Sequence, residues 1–386
     1  MSLKRFIHIP RIPRLWYAVA LLVASTIGIG FFGIPHTFAQ SGTGIGLLFL
    51  FVLTGFVLVV NLMYGEVILR THARHQFVGY VRHYLGPWAQ RLNTINFWLS
   101  VYGLCIALLI IIGQFLSEIF NYFGLIITPS IISLICLGLI AVLVMRGLRS
   151  ISHLDFFILL IMLVLVGFIM YPGIRAITPA NFVFSTYSAW FLPFGVLLFS
   201  LNGMQGIPLV REALVGGENR YRRAIVWGTI IPAFFYLIFS IIVVGVSGDA
   251  TSPHAISGLA DKLGINVVLW GSFLGFFTSS SIFLSVISAF HNSLREDFHL
   301  RRPRHFFLLL LPPALLFIFG VRDFIGIIGL VGGVAVSIDM ILLLLVYGRA
   351  SVKGDRVPEY SLHVPPRILY AMIGVFCVGA LYTLLV

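Results

Sequence analysis

The chain has 386 residues, 59% of them hydrophobic and 10% charged, with a net charge of +12. A mean hydropathy of +1.05 excludes a soluble domain, because a fold of this length cannot hide that much apolar surface; a polytopic membrane protein is expected. The positive charge does not mark a nucleic-acid surface, and no nucleic-acid partner is expected. The Lys and Arg residues fall in short loops between apolar runs, where they orient a chain in the bilayer.

Eleven spans are predicted in chain order, at about 15–39, 43–69, 93–118, 128–146, 152–174, 190–212, 224–247, 266–290, 305–320, 324–347 and 367–386. The basic start (Lys4, Arg5, Arg11, Arg14) leads into a full-length first span with no small-residue cleavage site, so no cleavable signal is expected. The ninth span is short and carries Pro312-Pro313. With the N-terminus inside, only Arg175, Lys262 and Arg322 of the 25 Lys and Arg fall outside. A wrong span count would scramble that alternation. The chain is therefore expected to be multi-pass in a plasma (inner) membrane, with a cytoplasmic N-terminus and an outer C-terminus. Cys105, Cys136 and Cys377 lie within spans and show no disulfide or metal spacing.

Two loops have character. Residues 75–91 put Phe77, Val78, Val81, Tyr84 and Leu85 on one helical face beside Arg74 and Arg82, as in a short interfacial helix on the inner surface. Residues 248–265 form an outer loop with Asp249, Pro253, His254 and Asp261 and room for one helical turn.

The hexapeptide Gly-x-x-Gly-Ile-Pro occurs as Gly30–Pro35 in span one and as Gly203–Pro208 in span six. Gly and Pro weaken a helix, and lipid cannot satisfy the backbone groups that a break releases. Breaks at matching places in two halves point to a transporter's substrate site. The alternative is two close-packed Gly helices with Pro kinks. Span one runs outward and span six inward, so the copies have the geometry of an inverted repeat. This divides a single transporter domain into a tail (1–14), a first repeat (15–174), a second repeat (190–347) and an additional helix (367–386).

A broken helix presents two ends to the membrane midplane. Free N–H groups near Ile29, Gly30 and Phe31 suit a carboxylate. Free carbonyls near Ser25, Thr26 and Ile27, and near Ser200 to Gly203, suit an ammonium group or a small cation. Together they match a zwitterion such as an α-amino acid, with Gly28, Gly30 and Gly203 allowing close approach. Asn202 and Gln205 at the second break and Tyr102 in span three could orient the ligand or tie helices together. The substrate-binding candidates are thus Ser25, Thr26, Ile27, Gly28, Ile29, Gly30, Tyr102, Ser200, Asn202, Gly203 and Gln205.

A coupling ion has two candidate places. Thr278 and Ser281 in span eight could complete a sodium site with the carbonyls of Ala24 and Ile27, unless these hydroxyls merely bond to the preceding helical turn. Asp339, deep in span ten without a charged sequence neighbour, is the candidate proton carrier. Glu66 reads as an ion pair with Arg70, and Asp155 beside His153 as an interfacial group; Glu212 is a candidate gate partner. His36 lies towards the outside. No metal beyond a sodium ion, no other cofactor and no obligate protein partner is expected.

The run Thr26-Ile27-Gly28-Ile29-Gly30-Phe31-Phe32-Gly33-Ile34-Pro35, followed by Phe38-Ala39-Gln40-Ser41-Gly42, resembles the amino acid permeases of the amino acid–polyamine–organocation superfamily. So do Pro193 with Ser200–Pro208 and the inner loop Gly79–Gly86. The likeness is greatest to the amino acid/auxin and aromatic amino acid permease branches. It implies an all-α, leucine-transporter-like fold of five plus five inverted helices and secondary active amino acid uptake. It also implies carboxylate binding by the backbone of Gly28, Ile29 and Gly30, and amine binding by carbonyls of Ile27 and the Ser200 region. Some proton-coupled relatives carry a Lys in span five facing the first break, and residues 152–174 have none.

The expected function is cation-coupled amino acid symport by alternating access. The alternatives are transport of another solute, such as an amine or nucleobase, and an integral membrane enzyme. An enzyme would need convergent acids, His or Lys near one interface, and His72, His75 and His83 on the inner loop lack suitable spacing.

Overall fold

The structure is a computed structural model and describes residues 13–145, 166–167, 169–186, 189–296 and 302–385. The basic residues Lys4, Arg5, Arg11, Arg146, Arg149 and Arg301, and most of span five with His153 and Asp155, lie outside the described residues. The regular secondary structure of the described residues is all helical, without strands. Seven helices are long and apolar enough to cross a bilayer, and the bent pair in span one makes an eighth.

Span one is Arg14–Thr26, a 3-10 turn Ile29–Phe32, and Ile34–Ser41. Gly42, at φ +92°, turns it at once into span two, Thr43–Leu69. A side chain at Gly42 would also meet the Ser185 backbone at 2.6 Å, so both conformation and space call for glycine. The interfacial helix forms at Phe77–Leu85. Gly86 and then Pro87 start span three earlier than its apolar run suggests, giving Pro87–Tyr122 and moving Arg91 from the loop into the helix. A proline is tolerated at that first helical position.

Of the other predicted spans, Leu192–Ala213 (six), Tyr221–Ser247 (seven), Ile265–Glu296 (eight), Phe324–Lys353 (ten) and Pro366–Leu385 (eleven) are of membrane length, whereas Pro129–Met145 (four) and Arg302–Ile318 (nine) are helices of 17 residues, shorter than a bilayer crossing calls for. The outer loop holds 3-10 turns at Gly248–Ala250 and Ser257–Leu259 and one helical turn at Ala260–Leu263. Span ten contains a π-turn, Val331–Val336. There Gly332 lies against the Gly195 carbonyl, with Phe199 N 2.7 Å from where its Cβ would be. Spans six and ten therefore cross backbone to backbone, the small-residue packing that lipid-embedded helices favour.

Arginines cap carbonyls on one face. Arg211 Nη1 donates to Ile68 O (2.6 Å), Arg349 Nη1 to Tyr84 O (3.0 Å) and Arg356 Nη1 to Leu69 O (3.0 Å). These are last-turn carbonyls with no helical partner. Below, this is the Arg-rich face. Arg211 thus reaches span two, while its neighbour Glu212 makes no ion pair among the described residues. The fully buried Glu66 accepts from Arg70 Nε (2.8 Å), Ser361 Oγ (3.0 Å), Leu362 N (2.8 Å) and Tyr347 OH (3.4 Å). It is a structural tie that fastens the segment between spans ten and eleven onto span two.

Candidate functional site

Both hexapeptides break their helices. In span one, Ile27 and Gly28 are extended, and the flanking segments meet at 59°. In span six, Asn202 is extended, and a 3-10 turn Met204–Gly206 precedes Ile207–Ala213. Asn202 Oδ1 accepts weakly from Met204 N at 3.4 Å, a local turn of its own backbone.

The two breaks face each other and interlock. A Cβ on Gly30 would strike Ser200 Oγ and come within 2.8 Å of Phe199 Cδ1. A Cβ on Gly203 would strike Thr26 Oγ1, and one on Gly206 would strike Ser25 Oγ. The hydroxyls of Thr26 and Ser200 meanwhile donate to carbonyls one turn back, Leu22 O (2.8 Å) and Val196 O (2.7 Å). Gly30 and Gly203 are thus required by the packing of one break on the other. Gly28 differs, having no atom within 4 Å of its Cβ direction. Of these glycines it is the one that leaves room for a ligand at the backbone.

Sequence reasoning missed Tyr236. Fully buried in span seven, it donates its hydroxyl to Thr26 O (3.1 Å) and Ser200 O (2.9 Å). Thr26 ends the first half of span one, and Ser200 lies in the last turn of the first half of span six. One phenol thus bridges the negative ends of two half-helices. Two of the carbonyls expected to face an amine are already engaged. The signal in the sequence was a mid-span Tyr, a polar group that must find a partner in the membrane.

The other candidates differ in exposure. Ser25 and Gln205 are exposed, Ala24, Asn202 and Ser281 half-buried, and Ile27, Ile29 and Thr278 buried. The turn Ile29–Phe32 packs on span eight and on span six. Tyr102, half-buried in span three, meets Trp98 edge to face at 6.3 Å. Asp339 stands apart, held by Asn93 and Asn96 of span three.

On the Arg-poor side the breaks are sealed. Phe31 packs on Phe239 (5.1 Å) and Phe235 (5.6 Å), and Phe32 on Phe115 (5.0 Å). Phe115 in turn meets His254 of the outer loop at 5.4 Å. His36 Nδ1 bonds Thr251 O at 2.7 Å, tying the second half of span one to that loop. Next to His254, Ala255 is buried with φ +66°, a strained conformation for a residue with a Cβ. The described conformation is closed towards the Arg-poor face, while Ser25 and Gln205 at the breaks are exposed.

His254 makes this closure pH-sensitive. Its Nε2 contacts Ser257 Oγ (3.0 Å) and lies 3.9 Å from Glu118, while its buried Nδ1 has no partner. Burial, and then the nearby His36, lower its pKa to about 4. The undocked loop, with an ordinary value of about 6.5, binds more protons in the window between. Docking should therefore be strongest above about pH 6.5 and weaken by roughly 3 kcal/mol as pH falls to about 4. Hydrogen exchange of the Ile256 and Leu259 amides, corrected for intrinsic rate, should accelerate across that window. His254→Gln should flatten the response.

The sequence model of the tryptophan/tyrosine permease family matches residues 11–383. A protein described as "Tyrosine-specific transport system 2", from Haemophilus influenzae, is 25% identical over 376 residues, 89% of each chain. "Glutamine transporter 2" from Aliivibrio fischeri is 21% identical over 360 residues, covering 91% of this chain and 93% of its own. Among solved structures, the crystal structure of MhsT in complex with L-phenylalanine superposes with a TM-score of 0.62 at 15% identity. It covers 95% of this chain and 97% of its own. The fold is that of the leucine-transporter-like proteins, as the family resemblance implied.

Proposed function

The chain belongs to the tryptophan/tyrosine permease family, and from that premise we propose that it takes up aromatic amino acids by cation-coupled symport. As a family member it is an integral, multi-pass amino acid transporter, and the family is one of permeases rather than enzymes. The tyrosine transporter among its relatives supports an aromatic side chain; the glutamine transporter makes a polar one the second reading. We place the family within the amino acid–polyamine–organocation superfamily. By the distribution of Arg and Lys, the Arg-rich face is cytoplasmic, the N-terminus lies on that side, and the membrane is the plasma (inner) membrane.

The observation that carries the reading is the paired break. Thr26 and Ser200 end two half-helices under one phenol, and Ile29 and Met204 begin two others, beside the open backbone of Gly28. Positive and negative ends side by side suit a zwitterion without any charged side chain. Gly28, Ile29 and Gly30 supply N–H groups for the carboxylate. Ser25, Ile27 and Asn202 supply oxygens for the ammonium group, while Tyr102 and Gln205 border the side chain. Thr278 and Ser281 with the carbonyls of Ala24 and Ile27 would take sodium, and Asp339 a proton. The described conformation is then inward-facing, and transport alternates it with one in which His36 leaves Thr251 and the Phe31–Phe239 contact opens.

The experiment is uptake of radiolabelled amino acids into proteoliposomes under imposed sodium or proton gradients. Accumulation of tyrosine, tryptophan or phenylalanine under one gradient supports the reading. No uptake of any amino acid by folded protein overturns it.

A further inference from the structure

We infer that Asp339 is the proton-carrying site of this transporter, holding its proton in a cyclic acid–amide pair with Asn93. The inference rests on the transport reading and names the coupling ion of that same process.

Asp339 follows the π-turn of span ten. Its Oδ1 accepts from Asn93 Nδ2 (3.0 Å) and Asn96 Nδ2 (2.8 Å), and Asn96 Nδ2 also reaches Ala335 O (2.8 Å). The two asparagines lie three residues apart on one face of span three and are 1% and 4% exposed. Among the described residues no Lys, Arg or His forms an ion pair with Asp339. A carboxylate here would be an unpaired charge in a membrane-embedded, amide-lined site.

The deciding atom is Asn93 Oδ1, which is buried and has no donor. A carboxylate has no hydrogen to give it. A neutral acid does: its O–H donates to Asn93 Oδ1 while Asn93 Nδ2 donates back to Asp339 Oδ1. That closes a ring of two hydrogen bonds and satisfies the orphan acceptor. Releasing the proton to solvent leaves the carboxylate on the two amide donors and breaks no other bond. Sodium fits less well, because both amides turn N–H groups towards the carboxyl.

The titratable groups on the surrounding elements do not replace this role. They are Tyr64 and Glu66 on span two, and Tyr80, Arg82, His83 and Tyr84 on the interfacial helix. Span three adds Arg91, Tyr102, Cys105, Glu118 and Tyr122, span ten Tyr347, Arg349 and Lys353, and span eleven Arg367, Tyr370, Cys377 and Tyr382. Glu66 is tied to Arg70, and Arg349 to Tyr84 O. A mostly apolar groove of about 310 Å³, lined by Leu92, Ile95, Leu99 and Ile338 with Trp88 and Arg91 among them, reaches Asn96, the amide that holds Asp339. The link to substrate is mechanical. Gly332 of the π-turn rests on Gly195 of span six, so rearranging the broken span shifts span ten against the asparagines of span three.

Asp339→Asn is the test. Its amide can donate to Asn93 Oδ1 and accept from Asn93 and Asn96, mimicking a permanently protonated acid. The expected result is substrate counterflow retained and insensitive to pH, with pH-gradient-driven accumulation reduced to the level reached without a gradient. Infrared difference spectra supply a readout independent of transport. The wild type should show a protonated-carboxyl band that shifts in heavy water, is absent from D339N, and moves to the free-acid position in Asn93→Ser. Gradient-driven accumulation by D339N at wild-type level overturns the proposal, as does a wild-type spectrum unchanged by D339N. Absence of counterflow in the wild type overturns the transport reading instead, and the infrared comparison still decides the site.

Discussion

Gly30→Val and Gly203→Val are expected to reach the membrane and to move no amino acid. The reason is contact between the breaks. A side chain at 30 has to displace Ser200 and Phe199, and one at 203 has to displace Thr26. Overpacking of this kind costs about 1–3 kcal/mol, which a large helical scaffold survives. A site in which each break rests on the other loses its geometry, because separating them moves the Thr26 and Ser200 carbonyls off their shared donor. Gly28→Ala is the contrast: its backbone is extended at φ −114° and its Cβ direction is open. It should fold normally, and its effect should fall on substrate affinity. The check is initial uptake normalised to protein in the membrane. Wild-type uptake by both valine variants would remove the breaks from the site.

Tyr236→Phe is the second large effect. The ring is kept and with it the contact to Phe235 (6.0 Å); only the hydroxyl goes. Two buried carbonyls then lose the one hydrogen they share, at a cost of about 1–3 kcal/mol. A ligand ammonium reaching into the gap recovers part of that, so the loss should exceed about tenfold in uptake, equivalent to ~1.4 kcal/mol. Reduced thermal stability of the substrate-free protein should accompany it. Unchanged uptake and unchanged stability would show that the phenol bridges nothing of consequence.

The membrane class and the two interrupted spans were legible because their causes are local. Hydropathy marks a span, and Gly with Pro marks the place where a helix stops. The charge alternation gives an expected orientation of the spans without any three-dimensional information. Other features depend on partners that periodicity does not encode. Tyr236 lies 210 residues from Thr26 and 36 from Ser200, and nothing local separates it from the other tyrosines. Asp339 was visible as an intramembrane acid, but Asn93 and Asn96 come from a span 243–246 residues away. The role of Gly30 and Gly203 was half legible. Close approach was expected of them, and the body that approaches is the opposing helix. The start of span three was misplaced because Pro87 opens a helix well before its apolar run begins.

The most direct test of the central claim is competition in the proteoliposome uptake assay. Labelled tyrosine is challenged with unlabelled tyrosine, its methyl ester and its N-acetyl derivative. A site built from opposed half-helix ends reads both the carboxylate and the ammonium group. The free amino acid should therefore compete fully, and each blocked form should be at least about tenfold weaker, the loss of ~1.4 kcal/mol at either end. Equal competition by all three would mean that the paired breaks do not hold the zwitterion, and would contradict the account.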